Sequence, residues 1–305
     1  MKALRMHGYD GEPHIVLDDV PAPTPGPDDL LVRVVAAAVN PLDGKLARGY
    51  VRDFFPLTFP YSLGTDLAGT VEAVGTRVTG FRPGDGVLAR LEAMKGGAFA
   101  ERAVVPASLA VRVPKAFRWE EAATLGTVAG TAWQALFEVA EITPSTRLLV
   151  TGGAGAVGGM AVRMASSIGA RVVATTRARG VEVARRLGAE RVFDAEATLD
   201  LDDVDVAFDT VGGEGQRALF DVVRRGGMLV SIAQPPDEET GRARGIDARF
   251  VFHESEGSRL AFATSYCAVQ QIKPPIDRVM PLDAGREAIA RVASGQARGK
   301  VVLEP

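Results

Sequence analysis

Residues 153–158 read Gly-Ala-Gly-Ala-Val-Gly and have the spacing G-x-G-x-x-G. In a chain with 34 glycines that pattern alone is weak, and its flanks decide its meaning. The apolar run 148–151 leads directly into it. After it, Val157, Ala161, Met164, Ala165 and Ile168 fall on one face of a helix, which Gly169-Ala170 ends before a second strand at 172–174. In such a strand–turn–helix the glycines let the backbone approach a pyrophosphate, whose charge meets the helix N-terminus. Gly153, Gly155, Ala156, Val157 and Gly158 are therefore candidate cofactor-binding residues, the alternative being a glycine-rich turn with no ligand.

The end of the second strand bears on which dinucleotide would bind. An NAD site places Asp or Glu there, about 20 residues past the glycines, on the ribose 2′-hydroxyl. This chain reads Thr175-Thr176-Arg177-Ala178-Arg179-Gly180, with no acid until Glu182. Two guanidinium groups and two hydroxyls suit a 2′-phosphate, although loop arginines are also commonly just solvated. The missing acid is the firmer half of the argument, and the expected cofactor is NADPH.

The elements that must hold this motif divide the chain in two. Its 305 residues suggest two domains. The first part reads as β: an apolar, β-branched run at 30–39, further strands at 67–74 and 85–88, and glycines at the turns. Short strands so spaced predict a partly open barrel. From Trp119 the texture changes to a helical pattern over 120–139, broken around Gly126 and Gly130. Strands at 147–150, 171–175, 191–193, 204–209, 228–232 and 249–252 then alternate with helices, notably 181–187 and 214–224, the latter ending at Arg224-Arg225. That alternation predicts an α/β fold with a doubly wound, Rossmann-type parallel sheet. One more helix, 283–294, and a strand, 300–303, close the chain.

Composition excludes several classes. Lys plus Arg is 35 against 38 for Asp plus Glu, a net charge of -3, which argues against a nucleic-acid binder. The single cysteine, Cys267, excludes a disulfide framework or a zinc site of several thiolates and reads as a small core residue. His7, His14 and His253 do not cluster in sequence, so no metal site is expected. Asp200, Asp202, Asp203 and Asp205 lack a calcium-loop pattern and read as a solvated loop. The polar N-terminus and the lack of an 18-residue apolar run predict neither leader nor membrane span, hence a cytoplasmic location.

The sequence resembles the zinc-free medium-chain dehydrogenase/reductase group, the quinone oxidoreductases of zeta-crystallin type and related enoyl reductases. The resemblance rests on Ala38-Val39-Asn40-Pro41-Leu42-Asp43, Gly64-Thr65-Asp66-Leu67-Ala68-Gly69, Val74-Gly75, Phe81-Arg82-Pro83-Gly84-Asp85, Ala98-Phe99-Ala100-Glu101, Thr131-Ala132-Trp133, the glycine loop and Gly299-Lys300-Val301-Val302. It implies a GroES-like barrel domain, 1–118 completed by 274–305, beside a Rossmann domain, 119–273, with the active cleft between them. Zinc-dependent relatives use a Cys, a His-Glu pair and a four-Cys lobe; here Val39-Asn40 and Thr65-Asp66 stand in those places, and 91–97 is too short and has no thiol.

The function so implied is metal-free hydride transfer to a quinone or an α,β-unsaturated carbonyl. The resemblance assigns Asn40 and Asp43 to the cleft floor, Thr131 to the carboxamide, and Ser231, Ile232, Ala233, Phe250 and Phe252 to the cofactor's side. Lys45, where some members carry Tyr, is a candidate enolate-stabilising donor that Asp43 would keep charged; a surface lysine is the alternative. Tyr50 and Tyr61 are candidates for the substrate mouth. The resemblance also implies a homodimer joined through the last Rossmann strands. Two other readings stay open: an enoyl-thioester reductase of a biosynthetic pathway, and a low-turnover NADPH-binding or sensor protein.

Overall fold

A computed structural model describes residues 1–9, 14–201 and 203–305. In chain order it begins β1 (Lys2–Met6), β2 (Ile15–Asp19), β3 (Asp29–Val39), α1 (Pro41–Ala47), β4 (Tyr61–Ser62), β5 (Asp66–Val74), β6 (Gly86–Arg90), β7 (Arg102–Pro106) and β8 (Ala110–Arg112). There follow α2 (Trp119–Trp133), β9 (Arg147–Val150), α3 (Ala156–Ser167), β10 (Arg171–Thr176), α4 (Val181–Leu187), β11 (Arg191–Asp194), β12 (Val204–Asp209), α5 (Gly215–Val222) and β13 (Val223–Ser231). The chain closes with α6 (Glu238–Arg244), β14 (Asp247–Phe250), α7 (Gly257–Val269), β15 (Ile276–Pro281), α8 (Gly285–Ala293) and β16 (Lys300–Glu304).

Two compact units result: Met1–Thr127 with Glu254–Pro305, and Val128–His253. The first is built on β3. Its small and β-branched residues are buried on both faces toward its end, and two register irregularities, between Leu31 and Val32 and between Val34 and Ala36, let it change partners. Residues 29–33 pair with β7, residues 37–39 with β16, and β5 runs along both stretches. The sheet order is β15-β16-β3-β5-β6-β8, with β7 on β3 and a smaller sheet β2-β1-β4 beside it. Leu4, Met6, Val32, Leu67, Val301 and Leu303 share its core. The tail is thus a structural part of the barrel unit.

The second unit is a six-stranded parallel sheet in the order β11-β10-β9-β12-β13-β14. The order reverses at the boundary between β9 and β12, where doubly wound sheets bind ligands beyond the strands' carboxyl ends. Leu149, Val204, Ala207, Leu219, Leu229 and Ile246 form a core against it.

The compact units divide at 127/128 and 253/254, so the start of α2 and the whole of α7 count with the barrel unit. Two local expectations change. Helix α2 is not broken at its glycines: it continues from Trp119 into a π-helical turn, Gln134–Val139. Those glycines serve close approach, since a Cβ on Gly126 would lie 2.6 Å from Asp66 Oδ1 and one on Gly130 would lie 2.5 Å from His253 Cε1. Finally, Arg224 and Arg225 do not end a helix but lie in β13, where Arg224 Nε donates to Asp205 Oδ1 at 2.6 Å. Among the described residues, no helix is long and apolar enough to cross a membrane.

Candidate active site

In the sheet unit, β9 ends in a turn that only glycine can make. Gly152 has φ +64, and a Cβ on Gly158 would lie 2.3 Å from the Gly152 carbonyl oxygen, so the first turn of α3 packs against the loop backbone. A Cβ on Gly153 would lie 2.6 Å from the Ala174 Cβ of β10, and Gly153 N donates to Thr175 O at 2.9 Å. Gly155 is the N-cap of α3, with Ala156 and Val157 next and no acidic residue in the first turn. This cradle fits a pyrophosphate: small, backbone-lined and at the positive end of a twelve-residue helix.

At the end of β10, Thr175 and Thr176 are buried, whereas Arg177 and Arg179 are exposed on the loop that follows. Gly180 closes that loop tightly, because a Cβ there would sit 2.2 Å from Thr176 Oγ1. Thr131 is buried on α2; Ser231 is fully buried at the end of β13, with Ile232 and Ala233 half-buried after it. Phe250 and Phe252 are exposed, at the end of edge strand β14 and just beyond it.

The strand ends at the switch point also carry a network that local sequence patterns leave unannounced. Asp209, 1% exposed at the end of β12, accepts at Oδ1 from Thr151 Oγ1 (2.8 Å), Val211 N (3.1 Å) and Gly212 N (3.0 Å). At Oδ2 it accepts from Gln216 Nε2 (2.9 Å) and Ser231 Oγ (3.0 Å). Burial pushes its carboxyl up, but these donations outweigh burial and hold it below the usual carboxylate range. The network ties β9, β12, α5 and β13 together where a ligand would lie. Its one sequence signal is an acid closing an apolar strand before Val211-Gly212-Gly213.

In the barrel unit, Asn40 and Asp43 meet through helix capping. Asn40 is the N-cap of α1, Pro41 follows at its first position, and Asp43 Oδ2 accepts from Asn40 N at 2.7 Å. Asp43 is completely buried, and its Oδ1 has no partner among the described residues. Burial pushes its carboxyl up to about 7; the Asn40 N–H bond, Lys300 and Arg90 pull the other way, and Asp66 adds to the rise.

Around this cap lie residues that spacing did not single out. Asn40 Nδ2 donates to Asp66 Oδ2 at 2.9 Å, and Asn40 Oδ1 accepts from the ammonium of Lys300. Lys300 Nζ also donates to Val39 O at 3.0 Å. Asp66 accepts from Thr127 through both Oγ1 (2.9 Å) and N (3.1 Å). Arg90 Nε donates to Thr127 Oγ1 at 3.3 Å, and its Nη1 donates to Ser255 Oγ at 2.5 Å. Asp43, Asp66, Arg90 and Lys300 are all buried, two carboxylates facing two cations.

The remaining candidates are dispersed. Lys45 and Tyr50 are exposed. Tyr61 is 3% exposed in the barrel core, and its hydroxyl donates to Ala93 O at 2.6 Å. Cys267 is buried on α7, which pushes its thiol up to about 12. Among the described residues, no three His, Cys, Asp or Glu side chains are grouped to hold a metal, and Asp202 of the acidic run lies outside them.

Residues 26–115 match the alcohol dehydrogenase GroES-like domain and residues 187–303 match the zinc-binding dehydrogenase family. The whole chain is 30% identical to a chloroplast envelope quinone oxidoreductase homolog of Arabidopsis thaliana, covering 98% of it. It is 34% identical to the 2-methylene-furan-3-one reductase of Solanum lycopersicum, covering all of this chain and 79% of that one. Over 91% of its length it is 29% identical to a mitochondrial NAD(P)H oxidoreductase, RTN4IP1, of Danio rerio, covering 84% of it. Among solved structures, an alcohol dehydrogenase superfamily protein from Novosphingobium aromaticivorans superposes with a TM-score of 0.91 at 29% identity, covering 100% of this chain and 99% of that one. The chain is an oxidoreductase of the medium-chain dehydrogenase/reductase superfamily, in its quinone oxidoreductase-like group. Among the described residues the zinc named in one family model meets no fitting donor set: Asn40, Thr65 and Asp66 occupy the ligand region, where Asn40 bonds to Asp66, Lys300 and Ala38 O, and Asp66 also bonds to Thr127.

Proposed function

We propose that the chain is an NADPH-dependent reductase that directs hydride to a quinone or an α,β-unsaturated carbonyl without a metal. The observation that carries this reading is the end of β10, where two buried threonines and two exposed arginines follow the glycine cradle and the chain carries no acid before Glu182. Two relatives' names, a quinone oxidoreductase homolog and a reductase of a methylene-furanone, support the acceptor class.

Bound NADPH would supply the hydride; the chain supplies position and charge. Gly153, Gly155, Ala156, Val157 and Gly158 would hold the pyrophosphate, and Thr175, Thr176, Arg177 and Arg179 the 2′-phosphate. Thr131, Ser231, Ile232, Ala233, Phe250 and Phe252 would flank the nicotinamide. Quinones and enones need little Lewis-acid help because the arriving electron pair delocalises onto oxygen, leaving one proton to be supplied. Asp43 is a proton-holding group of the barrel unit near neutral pH.

The reading extends to a homodimer. Strand β14 is a sheet edge with Phe250 41% exposed, and pairing with a second β14 across a twofold axis would cover it. Light scattering at micromolar concentration should give twice the chain mass; a clean monomer would remove this element.

The test of function is NADPH consumption against a panel of quinones, enones and an enoyl thioester, with NADH in parallel and with a chelator added. NADPH should be preferred, chelator should have no effect, and Arg177→Ala with Arg179→Ala should narrow the cofactor gap. Each lost charge-assisted bond is worth about 1.5–3 kcal/mol. Equal titration with NADH and NADPH, or zinc held stoichiometrically, would overturn it. Turnover of the thioester alone would favour the biosynthetic reading, and cofactor binding without turnover the sensor reading.

A further inference from the structure

Lys300 opens strand β16, where its neighbours Val301, Val302 and Leu303 are fully buried and Lys300 itself is 3% exposed. The strand needs no charge there. An ammonium withdrawn from water costs several kcal/mol unless its surroundings compensate, and a well-packed apolar side chain is often as stable or more so. What the ammonium does touch lies far away in sequence: Val39 O and Asn40 Oδ1, the two groups that lead into α1. The other end of the same amide, Asn40 Nδ2, donates to Asp66. The amide therefore stands between a cation and a carboxylate, which leaves it one favourable orientation.

We propose that Lys300 is a positioning residue of the Asn40–Asp43 site: its ammonium fixes the Asn40 amide with Oδ1 toward β16 and Nδ2 toward Asp66, and supplies counter-charge to the two buried carboxylates beside it. The proposal rests on the reading that Asn40 and Asp43 serve the reaction. The groups whose charge bears on Asp43 are Asp66 from β5, Arg90 from β6, Lys300 from β16 and, when ionised, Tyr61 from β4. Without Lys300, two carboxylates would share the single cation of Arg90. Asp43 would then keep its proton to higher pH, and the Asn40 amide would lose the contact that fixes its direction. Burial lowers the affinity of Lys300 for its own proton, while Asp66 and Asp43 raise it.

The experiment follows the Asp43 carboxyl by carbon NMR in the full chain, with aspartates labelled and the resonance assigned through Asp43→Asn. Wild type is compared with Lys300→Met, Lys300→Gln and Lys300→Arg, and kcat and KM are measured against pH on the best acceptor. In Lys300→Met the Asp43 titration should move up by about one pH unit or more. The pH profile of kcat should move with it, while NADPH affinity stays unchanged. Lys300→Arg should restore the wild-type titration, and Lys300→Gln, which donates without charge, should show the shift. If Lys300→Met does not fold, Lys300→Gln decides. An unmoved Asp43 titration in a folded neutral variant overturns the proposal. If wild type reduces no quinone or enone, the functional reading fails, and the carboxyl titration still decides the role of Lys300.

Discussion

Asp43 and Asp209 are the same side chain at nearly the same burial, 0% and 1% exposed, yet they respond in opposite directions. Desolvation is the largest influence on each and favours the neutral acid in both. The donors differ sharply, and at Asp43 the charge of neighbouring Asp66 adds to the rise. Asp209 collects three side-chain and two backbone donors at the strand ends of the sheet unit. Asp43 has the Asn40 N–H on one oxygen and nothing on the other among the described residues. Burial sets the cost of a charge; local donors decide whether the charge is kept. One unit thus uses an aspartate as an ionised clamp, the other as a group that exchanges its proton near neutrality.

The largest effect expected from this contrast is at Asp209. Asp209→Ala takes the acceptor from Thr151 Oγ1, Ser231 Oγ and the backbone N–H groups of Val211 and Gly212, and leaves Gln216 Nε2 with Gln234 O and Ser231 Oγ. Each buried donor left unmatched costs about 1–3 kcal/mol, more than an ordinary surface substitution does. Urea denaturation should show that loss. Asp43→Asn at pH above 7 should cost far less or stabilise, because it removes a charge that burial disfavours. Equal losses at the two positions would break the comparison.

The pH dependence sharpens it next. The folded-state pKa of Asp43, about 7, lies above the ordinary value of 3.8, so between those limits the folded protein binds the extra proton. Its contribution to stability is full below 3.8 and is lost as pH rises through about 7. Asp209 has the opposite sign: its contribution is present above the ordinary carboxylate value and is lost as acid carries the pH through its depressed folded value. Measured as the difference between wild type and Asp43→Asn, stability should decline on going from mildly acid to mildly alkaline buffer. A flat difference would mean that Asp43 is ionised throughout.

What could be read from the sequence follows the same division. The glycine turn, β9, β12 and α4 are local features, announced by patterns a few residues long. The Asn40–Asp43 spacing is local too, as a cap on α1. Lys300, Asp66 and Arg90 come to that cap from strands remote in the chain, and no spacing rule connects them. Gly126 and Gly130 predicted a helix break because glycine weakens a helix, whereas here Asp66 and His253 demand their missing side chains. Arg224-Arg225 suited a helix C-terminus by charge, yet the chain becomes strand at Val223, where Arg224 meets Asp205. Tertiary partners override local propensity in each case.

The smallest expected effect is at Lys45, which its place where some family members carry Tyr made a candidate for the chemistry, with nearby Asp43 expected to keep it charged. The two are separated by two positions on one helix, a spacing at which side chains do not face each other. Asp43 is buried and Lys45 exposed accordingly. The lysine that the buried aspartates do feel is Lys300, from the other end of the chain. Lys45→Met should therefore shift stability by no more than about 0.5 kcal/mol, as exposed substitutions generally do. Its kcat on quinone and enone should remain near wild type and its pH profile should not move. A general acid contributes about 10²–10⁴-fold, so a loss of that size, greater on the enone than on the quinone, would return Lys45 to the chemistry. Comparing the two lysines on the same substrates puts the question directly: whether closeness in sequence or closeness in the folded chain decides which cation serves the site.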